Sequence, residues 1–216
     1  MTKELDWSLF AQSSISHFLT LVEAPFIQTQ PLPFGPVEED IQWVFFNSPS
    51  AVRHAWNRIP STTKIAALGE GTARELIKQG LTPQFIGSHP VEKAAAQFGQ
   101  LVGEGKVLFP VTRIGKRTVQ KALPADQVIE VGAYETLNRS CELPGDLDVI
   151  AFTSPSNVQS FFDQHEIPKG VQLVAIGETT AEALRTKGYS ARVAKGYGML
   201  AILDRIMGLG PEKDPA

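Results

Sequence analysis

The sequence predicts an α/β protein with two domains, each built around a parallel sheet, and three observations support this prediction. Short β-rich runs alternate with helical periodicity along the chain, which is typical of βα units. The alternation restarts near Asp148, where a second sheet is expected to begin. A motif in the first half also recurs in the second half, which indicates an internal duplication.

The first run of elements contains five predicted strands separated by helices. The strands are predicted at 41–46, 64–68, 83–86, 106–109 and 127–134, and the helices at 50–58, 72–79, 91–102 and 116–123. The helix at 91–102 has the clearest pattern, because apolar residues return there at helical spacing: Val91, Ala94, Ala95, Phe98, Leu101 and Val102. We expect this apolar stripe to face a sheet.

The second run supplies only three strands, so its domain needs the N-terminal segment. Strands are predicted at 148–153, 171–176 and 191–194, helices at 156–164, 180–187 and 198–207, and two further strands at 8–12 and 25–30. The prediction is a discontinuous α/β domain of residues 1–32 and 142–216, with a second α/β domain, 33–141, inserted into it. Both crossing points contain residues that end helices and strands, namely Pro31, Pro33, Gly35 and Pro36 at one and Leu143, Pro144 and Gly145 at the other.

The composition is that of a globular protein without a nucleic-acid or metal signature. The chain has 216 residues, is 43% hydrophobic and carries a formal net charge of −3, whereas nucleic-acid binders normally have a basic face. Cys141 is the only cysteine and the four histidines lack paired ligand spacing, so we expect neither a disulfide nor a metal site. Without a secretory signal or a bilayer-length apolar run, we expect a cytoplasmic protein with no membrane partner.

The duplication consists of two pairs of matching segments. WVFFNSPSAV at 43–52 matches VIAFTSPSNV at 149–158, and AALGEGTAREL at 66–76 matches VAIGETTAEAL at 174–184. Each copy therefore has a Ser-Pro-Ser element and a Gly-Glu-x-Thr-Ala element. Each element lies between a predicted strand and a predicted helix.

Both elements have a structural and a functional interpretation. Serine favours the N-cap and proline the first helical turn, so the elements can be explained as helix caps alone. The same geometry leaves backbone N–H groups and hydroxyls at the carboxyl edge of a parallel sheet, where open α/β folds bind ligands. Because the elements are duplicated, we interpret them as sites for anions or carbonyl groups.

Taken in this order, the segments resemble the uroporphyrinogen-III synthase family, which repeats a Ser-Pro element and a Gly-x-x-Thr-Ala element in two domains. The likeness extends from about Pro31 to Met207 and includes VGAYET at 131–136, which is similar to a family segment with valine, tyrosine and threonine. The resemblance implies two flavodoxin-like domains joined by a two-stranded connector, with the active site in the cleft between them. It also implies a monomer without metal or organic cofactor.

The substrate implied by the resemblance is hydroxymethylbilane, a linear tetrapyrrole polycarboxylate. The family closes it into a ring with loss of water and inversion of the terminal pyrrole, which is a lyase reaction. Tyr134 matches the family tyrosine, and the resemblance implies that it assists departure of the hydroxyl group. Donors at the helix ends are then expected to bind substrate carboxylates, namely Ser48, Ser50, Thr72, Ser154, Ser156, Thr179 and Thr180.

The sequence departs from the family pattern at two predicted sheet edges. Residues 10–14 lack the basic residue that often follows the family's first strand, and 110–113 replace a glycine-bearing turn. Arg113, together with Lys116 and Arg117, is predicted either to supply positive charge to the substrate or to form a solvated helical face. The four histidines, His17, His54, His89 and His165, are expected to be structural or exposed.

Two other functions remain open from the sequence. Gly69-Glu70-Gly71 opens a predicted helix as a dinucleotide-binding fingerprint does, but Arg74 replaces its third glycine and the duplicate has Thr179 in place of Gly71. A non-catalytic protein that closes two domains on a small anion fits the same elements. Turnover of hydroxymethylbilane would separate this binding protein from the enzyme.

Overall fold

The computed structural model describes residues 19–37, 40–88, 90–113, 115–196 and 198–208. The chain divides into two units. The inserted unit is Thr29–Thr136, and the flanking unit consists of the described residues of Met1–Gln28 and Leu137–Ala216. The division falls inside two strands, whereas the sequence prediction set it after each of them, at residues 32–33 and 141–142.

The larger sheet has six strands in the order β1-β6-β5-β2-β3-β4. The strands are β1 (Ile27–Pro31), β2 (Ile41–Phe46), β3 (Lys64–Leu68), β4 (Phe85–Gly87), β5 (Lys106–Thr112) and β6 (Val128–Asn138). Three α-helices connect them, namely α1 (Pro49–Ala55), α2 (Glu70–Lys78) and α3 (Val91–Val102), and short 3₁₀ helices cover Trp56–Arg58, Gln120–Ala122 and Ala125–Gln127.

Strands β2 to β6 are parallel and doubly wound. Numbered from β2, they lie in the order 3-2-1-4-5, which reverses direction between β2 and β5. Flavodoxin itself has the order 2-1-3-4-5, so the unit shares the layers of that fold with a different strand order. The predicted α/β class with parallel sheets is confirmed.

Strand β1 lies at the edge of the larger sheet and runs antiparallel to β6. The Leu32 N–H donates to the Ala133 carbonyl at 2.9 Å, and the Arg139 N–H donates to the Phe26 carbonyl at 2.8 Å, so the numbering falls in one strand as it rises in the other. The sequence assigned this strand, at 25–30, to the other domain's sheet. It pairs with β6 instead, because β5 occupies only one edge of β6 and the second edge needs hydrogen-bond partners. The strand predicted at 8–12 lies outside the described residues.

The helix predicted at 116–123 is wrong, since only the 3₁₀ helix Gln120–Ala122 forms there. Thr118 and Val119, two β-branched residues that disfavour a helix, precede it, and Pro124 follows it. This leaves too few residues for a stable α-helix. The other predicted helices agree with the structure to within a few residues at their ends.

The flanking unit has a smaller parallel sheet with helices on both faces. In the described part of the chain its strands are β7 (Val149–Phe152), β8 (Gln172–Ala175) and β9 (Arg192–Val193), in that order, with α4 (Pro155–Phe162), α5 (Glu178–Arg185) and α6 (Gly198–Met207). Phe161 of α4 and Leu184 of α5 pack on one face of β8, and Ile202 of α6 packs with Val174 on the other. No described helix is both long enough and apolar enough to cross a membrane.

The core of the inserted unit is centred on β2. Val44 and Phe46 contribute to the cluster that contains α1 and α2, while Trp43 and Phe45 contribute to the cluster that contains α3. All four side chains are buried, which explains why residues 43–46 are a continuous apolar run in the sequence. Phe98 of α3 is the centre of the second cluster.

We predict that Phe98→Ala destabilises the inserted unit by about 3–5 kcal/mol, because it removes a fully buried ring. Phe98 lies edge-to-face against Trp43, with ring centroids 5.4 Å apart, so tryptophan fluorescence during urea unfolding will follow the change. Leu101→Ala, at a position on the same helix that is 50% exposed, is the matched control and should cost less than about 0.5 kcal/mol. Equal losses for the two variants would contradict this packing.

Candidate active site

The two Ser-Pro-Ser elements begin equivalent helices. Ser48 precedes α1 and its hydroxyl accepts the Ala51 N–H at 3.2 Å, and Ser154 precedes α4 and accepts the Asn157 N–H at 3.2 Å. The two serines have nearly the same backbone angles, φ −158° and ψ 157° at the first and φ −163° and ψ 157° at the second. The sequence duplication is therefore also a duplication of local structure, with serine as the cap and proline in the first turn.

A β-bulge in β6 determines where Tyr134 points. Val111 of β5 pairs with Gly132, but the next residue, Thr112, pairs with Tyr134, so Ala133 is an extra residue in β6. Simple alternation would place Ala133 and Tyr134 on opposite faces of the sheet. Both instead belong to the core cluster on the α1 and α2 side, so the bulge turns Tyr134 toward α1.

Tyr134 is held by two residues of the α1 segment, the capping Ser48 and His54. Its side chain is 7% exposed, and its hydroxyl lies 3.0 Å from the Ser48 hydroxyl, where either oxygen can donate. The imidazole of His54 on α1 stacks on the phenol ring, with centroids 5.5 Å apart and an interplanar angle of 27°. His54 Nε2 in turn lies 2.8 Å from the Thr29 hydroxyl on β1.

Burial favours the neutral form of both rings of this stack. Burial raises the pKa of the Tyr134 phenol above its usual 10.0, and this outweighs the opposing effects of the Ser48 hydrogen bond and of the positive charges on Arg53 and Arg117. Burial, followed by the charge of Arg53, lowers the pKa of His54 below 6.5. A neutral phenol can donate a hydrogen bond or a proton, so Tyr134 has the protonation state that an acid requires.

Arg53 and Glu75 form an ion pair close to this stack. Arg53 Nη1 lies 3.5 Å from Glu75 Oε2, and the two side chains are 18% and 11% exposed. The Arg53 Nη2 group also donates to the Ser50 hydroxyl at 3.2 Å. The predicted substrate contact Ser50 thus holds an arginine of its own helix, and Glu75 of α2 balances that charge.

The two copies of the motif differ in these surroundings. Aligning the duplicated segments places Gln159 and Ser160 at the positions of Arg53 and His54, and Ala183 at the position of Glu75. The flanking copy keeps the capping serine Ser154 without the charged pair. The serines are therefore common to both copies, whereas the arginine, histidine and glutamate belong to the inserted unit.

The Gly-Glu-x-Thr-Ala elements contain both buried and exposed threonines, although all of them were expected to contact a ligand. Thr72 and Thr180 are 2% and 1% exposed, and their backbone N–H groups donate to the carbonyls of Gly69 and Gly177 at 3.1 and 3.0 Å. Thr179 is exposed, as is Ser156 of the flanking Ser-Pro-Ser element. In this structure the exposed hydroxyls are available to a ligand and the two buried ones are not, while a substrate role for any of them stays a prediction.

The basic residues after β5 divide into exposed and paired side chains. Arg113 and Lys116 are exposed. Arg117 Nε lies 2.7 Å from Glu130 Oε1, and its Nη2 group donates to the Thr112 carbonyl at 3.0 Å. Since β5 and β2 are neighbours where the strand order reverses, Arg113 and Ser48 follow adjacent strands at the edge where doubly wound sheets bind ligands.

Two cavities lie at opposite ends of their strands, one at the carboxyl ends and one at the amino ends. A cavity of about 160 Å³ lies at the carboxyl edge of the larger sheet and is lined by Asn47, Leu68, Val91, Lys116, Thr118 and Val119. A cavity of about 530 Å³ in the flanking unit lies between the segments that precede β8 and β9. The larger cavity is at the amino ends of its strands and contains none of the predicted site residues.

Comparison with known proteins identifies the family. The model of the family described as uroporphyrinogen-III synthase HemD matches residues 10–204. The chain belongs to this family. It is 25% identical over 221 residues to the uroporphyrinogen-III synthase of Chlorobaculum parvum, covering 87% of this chain and 88% of the relative. It is 26% identical over 190 residues to a putative uroporphyrinogen-III synthase of Methanocaldococcus jannaschii, covering 76% and 79%.

Solved structures share the fold of this chain. The crystal structure of uroporphyrinogen-III synthetase from Helicobacter pylori superimposes with a TM-score of 0.68 at 18% identity, covering 84% of this chain and 90% of the other. A mutant uroporphyrinogen III synthase from Thermus thermophilus superimposes with a TM-score of 0.53 at 18% identity, covering 85% and 86%. At these identities the likeness shows the fold alone.

Sequence reasoning missed two residues of the cluster around Tyr134. His54 was expected to be structural or exposed, and Arg53 was not singled out. A signal for His54 exists in the duplication, because the equivalent residue Ser160 is also polar. Arg53 has no such signal, since its partner Glu75 lies on another helix.

We predict that Ser48→Ala and Ser154→Ala each destabilise the protein by about 1 kcal/mol, because each removes a helix N-cap. Only Ser48→Ala should also raise the pKa of Tyr134 further, since it removes a hydrogen bond that lowers this pKa. Tyrosinate absorbance during alkaline titration measures that shift, with Ser154→Ala as the matched control. An equal shift in both variants would contradict the Ser48–Tyr134 contact.

Proposed function

We propose that this protein is a lyase that converts hydroxymethylbilane into uroporphyrinogen III, with loss of water and inversion of the terminal pyrrole ring. The observation that carries the proposal is the family match over residues 10–204. The buried Tyr134, which pairs with the last residue of β5, supports it, because a neutral phenol can supply the acid that the first step needs. The cytoplasmic location and the monomeric state expected from the sequence belong to the same proposal.

The first step of the reaction is departure of the hydroxyl group from the hydroxymethyl carbon, which is carried by the pyrrole at the opposite end of the chain from the ring that is inverted. The Tyr134 phenol donates its proton to the hydroxyl oxygen, the carbon–oxygen bond breaks, and water leaves. The electron pair of the pyrrole nitrogen forms the new double bond, and the proton lost from that nitrogen returns to the phenolate. The product is a neutral azafulvene whose exocyclic carbon is the electrophile.

The Ser48 hydroxyl can direct the Tyr134 proton toward the substrate. Because the Ser48 oxygen accepts the Ala51 N–H, its own hydrogen is free to be donated to the Tyr134 oxygen at 3.0 Å. In that arrangement the phenol hydrogen points away from Ser48. Ser48 then acts both as the cap of α1 and as the partner that orients the acid.

The later steps depend on positioning more than on acid. The azafulvene carbon is attacked by the substituted position of the last pyrrole, and the spiro intermediate fragments and recloses with that ring inverted. Holding the two ends of the chain in this geometry supplies most of what the reaction requires. We propose that the substrate carboxylates are held by several donors, among them Ser154, Ser156, Thr179 and Arg113.

The decisive experiment is an isomer analysis. Purified protein is given hydroxymethylbilane generated in place without added metal or nucleotide, and the products are oxidised and separated as type I and type III uroporphyrins. Predominant type III is the expected result, because only an enzyme that inverts the ring forms it. Type I alone, the product of spontaneous closure, would remove the proposed activity and favour a binding protein for small anions.

Tyr134→Phe tests the assigned acid. We expect kcat to fall on the order of a hundredfold, the lower end of the effect of a positioned acid, because the azafulvene forms easily. Fluorescence-detected unfolding should remain cooperative, since the ring and its packing are kept. Tyr189→Phe, which alters a partly buried tyrosine of the flanking unit, is the matched control and should retain wild-type kcat. If both variants keep full activity, Tyr134 is not the acid.

A further inference from the structure

His54 connects Tyr134 to the strand at the edge of the sheet. Its imidazole stacks on the phenol ring, with centroids 5.5 Å apart, and its Nε2 atom lies 2.8 Å from the Thr29 hydroxyl. The phenol is thereby fixed twice, at its oxygen by Ser48 and across its ring by His54. Both contacts come from α1, so the helix sets the position and the tilt of the tyrosine.

Ser160, the equivalent of His54 in the flanking copy, shows which part of the role of His54 is structural and which part is specific to Tyr134. Ser160 occupies the position of His54 in the duplicated helix, and its hydroxyl donates to the Phe26 carbonyl at 2.5 Å. Both helices therefore use the same position to hold the backbone or side chain of the segment around β1. A small hydroxyl is sufficient for that structural task, and the imidazole of His54 adds a ring stacked on Tyr134.

We propose that His54 is a positioning residue for Tyr134. His54 acts through the face of its imidazole ring and does not transfer a proton. The proposal rests on the proposed function for its kinetic consequence, and on the geometry alone for its effect on the phenol. Burial, followed by the charge of Arg53, lowers the pKa of His54 and so favours the neutral imidazole. A neutral ring shields the phenol from water without placing a charge beside it.

Two substitutions separate the ring from the hydrogen bond. His54→Phe keeps a ring on Tyr134 and loses the bond to Thr29, whereas His54→Gln keeps a hydrogen-bonding group for Thr29 and loses the ring. Ser160→Ala is the matched control, because it removes the equivalent anchor in the flanking copy. For each protein, the phenol pKa comes from the tyrosinate absorbance difference against the same protein carrying Tyr134→Phe, and kcat and KM come from formation of the type III isomer.

We expect His54→Gln to move the phenol pKa down toward 10.0, because water reaches the exposed ring face. Its kcat should fall by about threefold to tenfold, the effect of losing one aromatic contact, with KM within about twofold of wild type. His54→Phe should restore the raised phenol pKa and most of kcat. Ser160→Ala should lower the unfolding midpoint and leave both readouts of Tyr134 unchanged.

The outcomes that overturn the proposal are specific. It fails if His54→Gln retains both the wild-type phenol pKa and kcat, or if His54→Phe is as impaired as His54→Gln. Loss of kcat in Ser160→Ala equal to that in His54→Gln would reduce His54 to a structural anchor. If no type III isomer forms with the wild-type protein, the proposed function fails, while the phenol pKa still decides whether His54 positions Tyr134.

Discussion

One extra residue in β6 determines the position of Tyr134, and the rest of the candidate site depends on it. Strand β6 is hydrogen-bonded to β5 along one edge and to β1 along the other, so the bulge at Ala133 is held between two partners. Sliding β6 by one residue to remove the bulge would break pairing along its length and return Tyr134 to the opposite face. The contacts of the phenol with Ser48 and His54 therefore require the sheet to be complete.

The duplication has produced two units with the same local geometry and unequal chemistry. Ser48 and Ser154 cap their helices in the same way, but the Arg53–Glu75 pair belongs only to the inserted copy. Capping requires one hydroxyl at a fixed backbone position, so it survives divergence of the surrounding side chains. Such a repeat can keep donor groups at both sheet edges while one copy acquires the residues that surround an acid.

The sequence predicts best what depends on neighbouring residues in the chain. Helix α3 has the predicted limits because its apolar stripe and the preceding Pro90 are local signals, and β2 is predictable because both of its faces are buried. The side of the sheet on which Tyr134 lies depends on the pairing of Thr112 with β6, which no local pattern encodes. Likewise, the stacking of His54 is visible only once α1 and β6 are known to be neighbours.

The antiparallel pairing of β1 with β6 also has a consequence for the order in which the chain folds. The inserted unit is one continuous stretch, Thr29–Thr136, so it can complete its sheet on the ribosome before α4 has been synthesised. Phe26 can pack only after Phe161 of α4 has been synthesised, since the centroids of the two rings lie 5.2 Å apart in the folded unit. Once β1 and β6 have paired, the segments that lead into the flanking unit leave side by side. The chain between the two parts of the flanking unit, Thr29–Thr136, is then already folded. The entropic cost of bringing those two parts together is therefore that of closing a much shorter loop.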